Sequence, residues 1–202
     1  NAATNPQGYT NQGIVEKDLL ERAINYVNAN CPPPTDLNVD MDNDGMVDNV
    51  CFIIKGARGD WDDLLWPHMW SIQERDLYIN GKRVNRYNFQ LEGSGDHYFS
   101  TSTFCHEMFH SLGAPDLYRY EYYTNVDPVG TWDIMGYNTT PPQSMGAYMK
   151  WKYGNWIDSI PVITQSGTYS LHSLSSGNSA NCCYKVASYI PHQWYLFEYR
   201  KR

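Results

Sequence analysis

His106-Glu107-Met108-Phe109-His110-Ser111-Leu112-Gly113-Ala114-Pro115-Asp116 is the stretch on which the reading of this chain turns. Thr101 to Leu112 reads as a helix closed by Gly113, with Thr101, Ser102 or Thr103 as its cap. Residues four apart lie one above the other on a helix face, so His106 and His110 both reach one ion. Glu107 stands beside them, placed to hold a metal-bound water without binding the metal itself. Gly113 lies three residues after the second His and Asp116 six after it. In the long form of this zinc motif those positions hold a turn-forming Gly and a third ligand, most often His. Asp116 takes that place here, and a carboxylate beside two imidazoles is an accepted catalytic zinc set with a fourth position for water. Gly113 lets the chain leave the helix sharply enough for Asp116 to swing back.

Downstream, Gly130-Thr131-Trp132-Asp133-Ile134-Met135-Gly136-Tyr137 places a Met 25 residues after His110. A Met-turn beneath the metal belongs to the same long-motif enzymes, as a polarizable floor rather than a ligand. Tyr137 is placed to donate its phenolic hydrogen to an oxyanion at the scissile carbonyl. A plain core role for Met135 and a structural role for Tyr137 are the competing readings.

Upstream, Asp40-Met41-Asp42-Asn43-Asp44-Gly45-Met46-Val47-Asp48 alternates carboxylates before a Gly turn, which suits a hard, oxygen-ligated cation. Asp40, Asp42, Asp44, Met46 and Asp48 are the expected ligands of a structural calcium. Cys51 stands where an EF-hand loop needs Glu, so the loop is EF-hand-like only in its first half. A hydrated acidic turn is the alternative.

The remaining elements follow from periodicity and punctuation. Val15, Leu19, Leu20, Ala23, Ile24 and Val27 recur at helical spacing over 15–29, stopped by Cys31-Pro32-Pro33-Pro34. Residues 49–54 read as a buried strand, and 65–72 as a second one in which Pro67 marks an edge or a bulge. Asn80-Gly81 between Leu77–Ile79 and Lys82–Val84 signals a hairpin. A helix is predicted over 144–153, and strands over 167–172, 184–189 and 194–199. Helices and strands mix without regular alternation, which predicts an α+β fold in a single domain of 202 residues.

Composition excludes several classes. Fifteen Lys and Arg against 22 Asp and Glu, with no basic cluster, argue against a nucleic-acid partner. No apolar run is long enough for a membrane span. Cys31, Cys51, Cys105, Cys182 and Cys183 match no zinc spacing, form no even disulfide ladder and leave the pairing open. His68, His97, His172 and His192 are each isolated and read as surface or hydrogen-bonded residues, with His68 between Trp66 and Trp70 the least bland.

Taken together, residues 106–118, the Trp132-Asp133-Ile134-Met135-Gly136 segment and Leu65-Trp66-Pro67-His68-Met69-Trp70 resemble the immune inhibitor A family of secreted bacterial metallopeptidases. The aspartate loop running into a strand and Phe197-Glu198-Tyr199-Arg200 resemble it too. The resemblance implies a metzincin-like zincin catalytic domain: a twisted mixed β-sheet with the active-site helix as an upper part (about 1–113), and a C-terminal lower subdomain (about 114–202). It implies a secreted, cell-surface or periplasmic protein, zinc on His106, His110 and Asp116, and a calcium-stabilised fold. Family domains carry a further strand and helix upstream of Asn1, so the sheet is expected to lack an N-terminal strand, and Cys105 before His106 departs from the pattern.

The function expected is a zinc-dependent endopeptidase that cleaves protein or peptide substrates, as a monomer, through a zinc-bound water activated by Glu107. One Asp ligand lowers the positive charge of the site, so activation of that water leans more on Glu107. The substrate is expected to extend along an edge strand from 65–72 or the 77–89 hairpin. Two rivals remain: a metal-binding adhesin or substrate-binding domain on a metalloprotease fold, and a hydrolase of non-peptide amides.

Overall fold

Helix α1 (Gln12–Asn30) leads the element order of the computed structural model, which describes residues 12–55, 66–94, 97–120, 127–177 and 180–201. Strands β1 (Val50–Ile54), β2 (His68–Ser71), β3 (Tyr78–Ile79), β4 (Lys82–Arg83), β5 (Arg86–Leu91), β6 (Gly93–Ser94) and β7 (His97–Tyr98) follow, then helix α2 (Thr101–Ser111). A 3₁₀ turn at Gly130–Trp132, helix α3 (Ala147–Lys152) and strands β8 (Cys183–Ala187) and β9 (Trp194–Glu198) complete it. The chain divides into two compact units, Asn1–Ser111 and Leu112–Arg202. Small sheets and few helices make the mixed α/β content that the sequence predicts. The upstream region around Asn1, and Leu65, lie outside the described residues.

In the first unit β5 is the central strand, parallel to β1 and antiparallel to β2, so the sheet is mixed. Successive side chains of a strand point to opposite faces, and here both faces are covered. Tyr87, Phe89 and Leu91 join Leu20 and Ile24 of α1 in the core, whereas Asn88 turns to Met108 of α2. Residues 86–89, expected as the far end of the 77–89 hairpin, instead begin this central strand; the buried amides of Asn88 and Gln90 interrupt its apolar run and bond each other, Gln90 Nε2 to Asn88 Oδ1, at 2.9 Å. Strand β1 differs from its expected burial. Val50, Phe52 and Ile54 pack on the core while Cys51 and Ile53 are exposed, the alternation of a strand with one covered face. The buried line of α1 is also narrower than its apolar pattern: Glu16, Leu20 and Ile24 are buried, but Val15 and Leu19 are exposed.

The Asn80-Gly81 hairpin forms as expected. Asn80 (φ 49°) and Gly81 (φ 77°) both take left-handed backbone, the type I′ pair whose twist matches that of the flanking strands.

The second unit packs Ala147, Ile157, Ile160, Cys182 and Cys183 into its own core, beside the antiparallel pair β8–β9. Burial next to Cys182 pushes the Cys183 thiol up to about 12, and no disulfide joins any two of the five cysteines. Two expected elements change. The helix of 144–153 shortens to α3, because the N–H groups of Gly146 and Ala147 are taken by the Asp133 and Glu198 carboxylates. Residues 167–172 form no strand: nearly all are exposed, and a strand needs a face to bury. No described helix is long and apolar enough to cross a membrane.

Candidate metal centre

Helix α2 is tied down at its start, middle and end. Ser100, rather than Thr101, Ser102 or Thr103, caps it: the Ser100 Oγ accepts the Thr103 N–H at 3.2 Å. Midway, the Met108 sulfur accepts the side-chain amides of Asn49 (3.0 Å) and Asn88 (3.6 Å). At the end Arg86 Nη1 donates to the Ser111 carbonyl at 2.9 Å, satisfying one of the orphan acceptors and placing a cation at the negative pole of the helix. The residues this helix buries are Ser102, His106, Glu107 and Phe109. A helix that turns a histidine and a carboxylate inward needs a chemical reason, since such groups are seldom buried unpaired.

The ring centroids of His106 and His110 stand 4.8 Å apart at 84°, an edge-to-face pair one helical turn apart as their spacing dictates. Gly113 then takes φ +91°, a backbone closed to most side chains, and the chain reverses toward Asp116. One ligand atom from each of His106, His110 and Asp116 lies within 4.8 Å of the others. Two imidazoles and a carboxylate converging on one point fit a zinc ion, with a coordination position left over.

Asp116 is held by groups that the motif does not reveal. Tyr120 donates its phenolic hydrogen to Asp116 Oδ2. Burial, then the Asp116 charge, drives the Tyr118 hydroxyl far above its usual value, so it stays protonated. One residue on, Leu117 N–H donates to the carbonyl of the fully buried Met135 at 2.8 Å. Met135 therefore contributes its backbone as an anchor for the segment that carries Asp116. Tyr137, two residues later, has its backbone fixed and its ring exposed: its N–H bonds Asp133 O at 3.2 Å and its carbonyl accepts from Gln143 Nε2.

A model of the immune inhibitor A peptidase M6 catalytic domain matches residues 34–156. The chain belongs to the immune inhibitor A peptidase M6 family. This is a family of metallopeptidases, which makes polypeptides the substrate class. No curated protein matches the chain. The matched span of this M6 peptidase includes the three converging donors, Glu107, Met135, Tyr137 and the aspartate loop.

In that loop the structure brings together ligand atoms of Asp40, Asp42 and Asp48, again within 4.8 Å. The Asp44 carboxylate is not part of this cluster; its Oδ1 accepts the Met46 N–H at 2.8 Å. Asp40 is buried, and its two oxygens accept the N–H groups of Asp44 and Gly45, each at 3.0 Å. Lys82 Nζ bonds Asp40 Oδ2 at 2.7 Å, and this ammonium is the main reason the Asp40 carboxyl sits below the usual carboxylate range.

Sequence reasoning also left His68 unassigned. Its Nε2 meets Glu16 Oε1 at 3.0 Å, its Nδ1 meets the Trp66 carbonyl at 2.7 Å, and its ring stacks on Phe89. Tyr87 donates to the same Glu16 oxygen at 2.5 Å. Burial works against charging His68, but the bonds to Glu16 and Trp66 and the field of Glu107 outweigh it and raise the imidazole pKa. His68 and Glu16 thus form a half-buried pair between β2 and α1, an ion pair when the imidazole is protonated. Its sequence signal was Glu16 on the buried line of α1, which an apolar pattern hides.

Proposed function

We propose that this M6 peptidase is a zinc-dependent endopeptidase in which His106, His110 and Asp116 hold the metal and Glu107 is the general base. The observation that carries the proposal is the convergence of the three donor groups, with the buried Glu107 adjacent on the same turn of α2. Zinc held there would polarise the scissile carbonyl and acidify a water. Glu107 takes one proton from the attacking water as its oxygen bonds the carbonyl carbon. It then delivers that proton to the amide nitrogen as the C–N bond breaks, so that water and peptide account for both products. The exposed ring of Tyr137 leaves its hydroxyl available to donate to the developing oxyanion.

Three further assignments complete the reading. Asp40, Asp42 and Asp48 supply oxygens to a structural calcium, with Lys82 giving up its bond to Asp40 when the cation enters. The fold is metzincin-like, with an upper part of about 1–113 and a lower part of about 114–202. The protein works outside the cytoplasm, as the resemblance of its sequence motifs to the secreted immune inhibitor A family implies.

Glu107→Gln tests the central claim. The variant should bind zinc one to one by elemental analysis while losing casein hydrolysis. Undiminished cleavage would overturn the role of Glu107, and a wild-type chain that takes up no zinc would overturn the metal site.

A further inference from the structure

Glu198 and Arg200 lie beyond the residues that the family model matches, at the end of β9, yet they are wired to the turn that anchors Asp116. Glu198 Oε2 accepts the Ala147 N–H and Asp133 Oδ2 accepts the Gly146 N–H, both at 2.6 Å. Arg200 Nε donates to Glu198 Oε1 at 2.5 Å, while its Nη1 donates to the carbonyls of Trp132 and, at 3.2 Å, Ser144. These charged groups close on a single α-carbon. A Cβ on Gly146 would meet Arg200 Nη2 and Asp133 Oδ2 at 3.3 Å and Glu198 Oε2 at 3.6 Å.

From this cluster the connection runs through one turn. The other oxygen of the buried Asp133 accepts the Met135 N–H at 2.8 Å, and its main-chain carbonyl accepts those of Gly136 and Tyr137 at 2.9 and 3.2 Å. The Met135 carbonyl in turn accepts the Leu117 N–H at 2.8 Å. That N–H belongs to the peptide group joining Asp116 to Leu117, so the bond sets the plane from which the Asp116 side chain departs.

We propose that Asp133, Glu198 and Arg200 are positioning residues for Asp116. They lock the 132–137 turn, and the turn fixes the peptide next to the third metal ligand. Ligands that are not oriented from behind bind metal more weakly, typically by about 10–100-fold. The inference rests on the reading of Asp116 as a ligand.

The test uses the full chain. Zinc affinity is measured by competition with a chromophoric chelator, and the cobalt-substituted protein is compared by its visible absorption. Arg200→Gln and Glu198→Gln should weaken zinc about 10–100-fold and alter the cobalt bands, at temperatures where circular dichroism shows the metal-free chains folded. Arg200→Lys, which keeps one charged donor, should recover part of the loss. Gly146→Ala keeps every charged group but crowds all three, and should shift the cobalt bands in the same sense if Arg200→Gln does not fold. A merely architectural role would lower Tm and leave zinc affinity and the cobalt spectrum unchanged, which overturns the proposal. Asp116→Ala separates the two failures. If it binds zinc as tightly as the wild type, the ligand reading falls and the positioning role with it. If it weakens zinc while the Arg200, Glu198 and Gly146 variants do not, the positioning role falls alone.

Discussion

The two groups of metal-type donors are built in opposite ways. His106 and His110 come from a regular helix that spaces them by its own pitch, and both are neutral ligands when deprotonated. Asp40, Asp42 and Asp48 come from a loop outside the named helices and strands, where three carboxylates crowd together. Like charges at such separations repel, so the loop carries its own compensation. Its oxygens accept the N–H groups of Asp44, Gly45 and Met41, and the Lys82 ammonium sits on Asp40. A histidine pair on a helix is thus shaped for a cation at little cost, whereas an acidic loop is partly neutralised by the protein before any cation arrives.

The largest effect that would break this comparison is catalytic. Glu107→Gln should cut hydrolysis by about 10²–10⁴-fold, the usual contribution of a general base, with zinc retained. Asp40→Asn should leave turnover near the wild-type rate at a temperature well below Tm. If Asp40→Asn is as damaging as Glu107→Gln, the two constellations are not functionally distinct.

A second, intermediate effect sharpens the compensation argument. Lys82→Met removes the internal cation from Asp40, so the metal-free variant should melt below the wild type. Added calcium should raise its Tm by more than it raises that of the wild type, because binding to the native state alone stabilises in proportion to occupancy. An equal calcium response in both, followed calorimetrically, would show that Lys82 does not stand in for the cation.

The smallest effect concerns the half-buried pair His68–Glu16. Because the folded pKa of His68 is raised above the ordinary value near 6.5, the folded chain holds that proton more tightly than the unfolded one. Its stabilising contribution is fully present below about pH 6.5 and declines as pH rises through the folded pKa. Urea melts between pH 6 and 9 should show stability falling with pH in the wild type. In His68→Gln this component should be absent, with lower stability at acid pH.

Legibility in the sequence followed the range of the interactions. The helix expected over 101–112 runs Thr101–Ser111, and the Asn80-Gly81 turn is the hairpin predicted, because both depend on neighbours within a few residues. The strand expected at 167–172 is missing, and residues 86–89, expected in the 77–89 hairpin, belong instead to the central strand β5, because what makes a strand is the partner and the cover it finds. The candidate site divides along the same line. The spacing of His106, Glu107 and His110, and the turn at Gly113 that precedes Asp116, could be read directly. Arg86 at the end of α2, Tyr120 on Asp116, and the Met135 carbonyl on Leu117 could not.

What the sequence by itself determined is the set of chemical groups at 106–116 and their order along one helix and its exit. Helical pitch and a glycine's freedom at positive φ are local properties, written in consecutive residues. What only the tertiary structure decided is which groups stand behind them. Glu16 against His68, Lys82 on Asp40, and Glu198 with Arg200 around Gly146 join residues 42–54 positions apart, and burial, not spacing, makes those encounters matter.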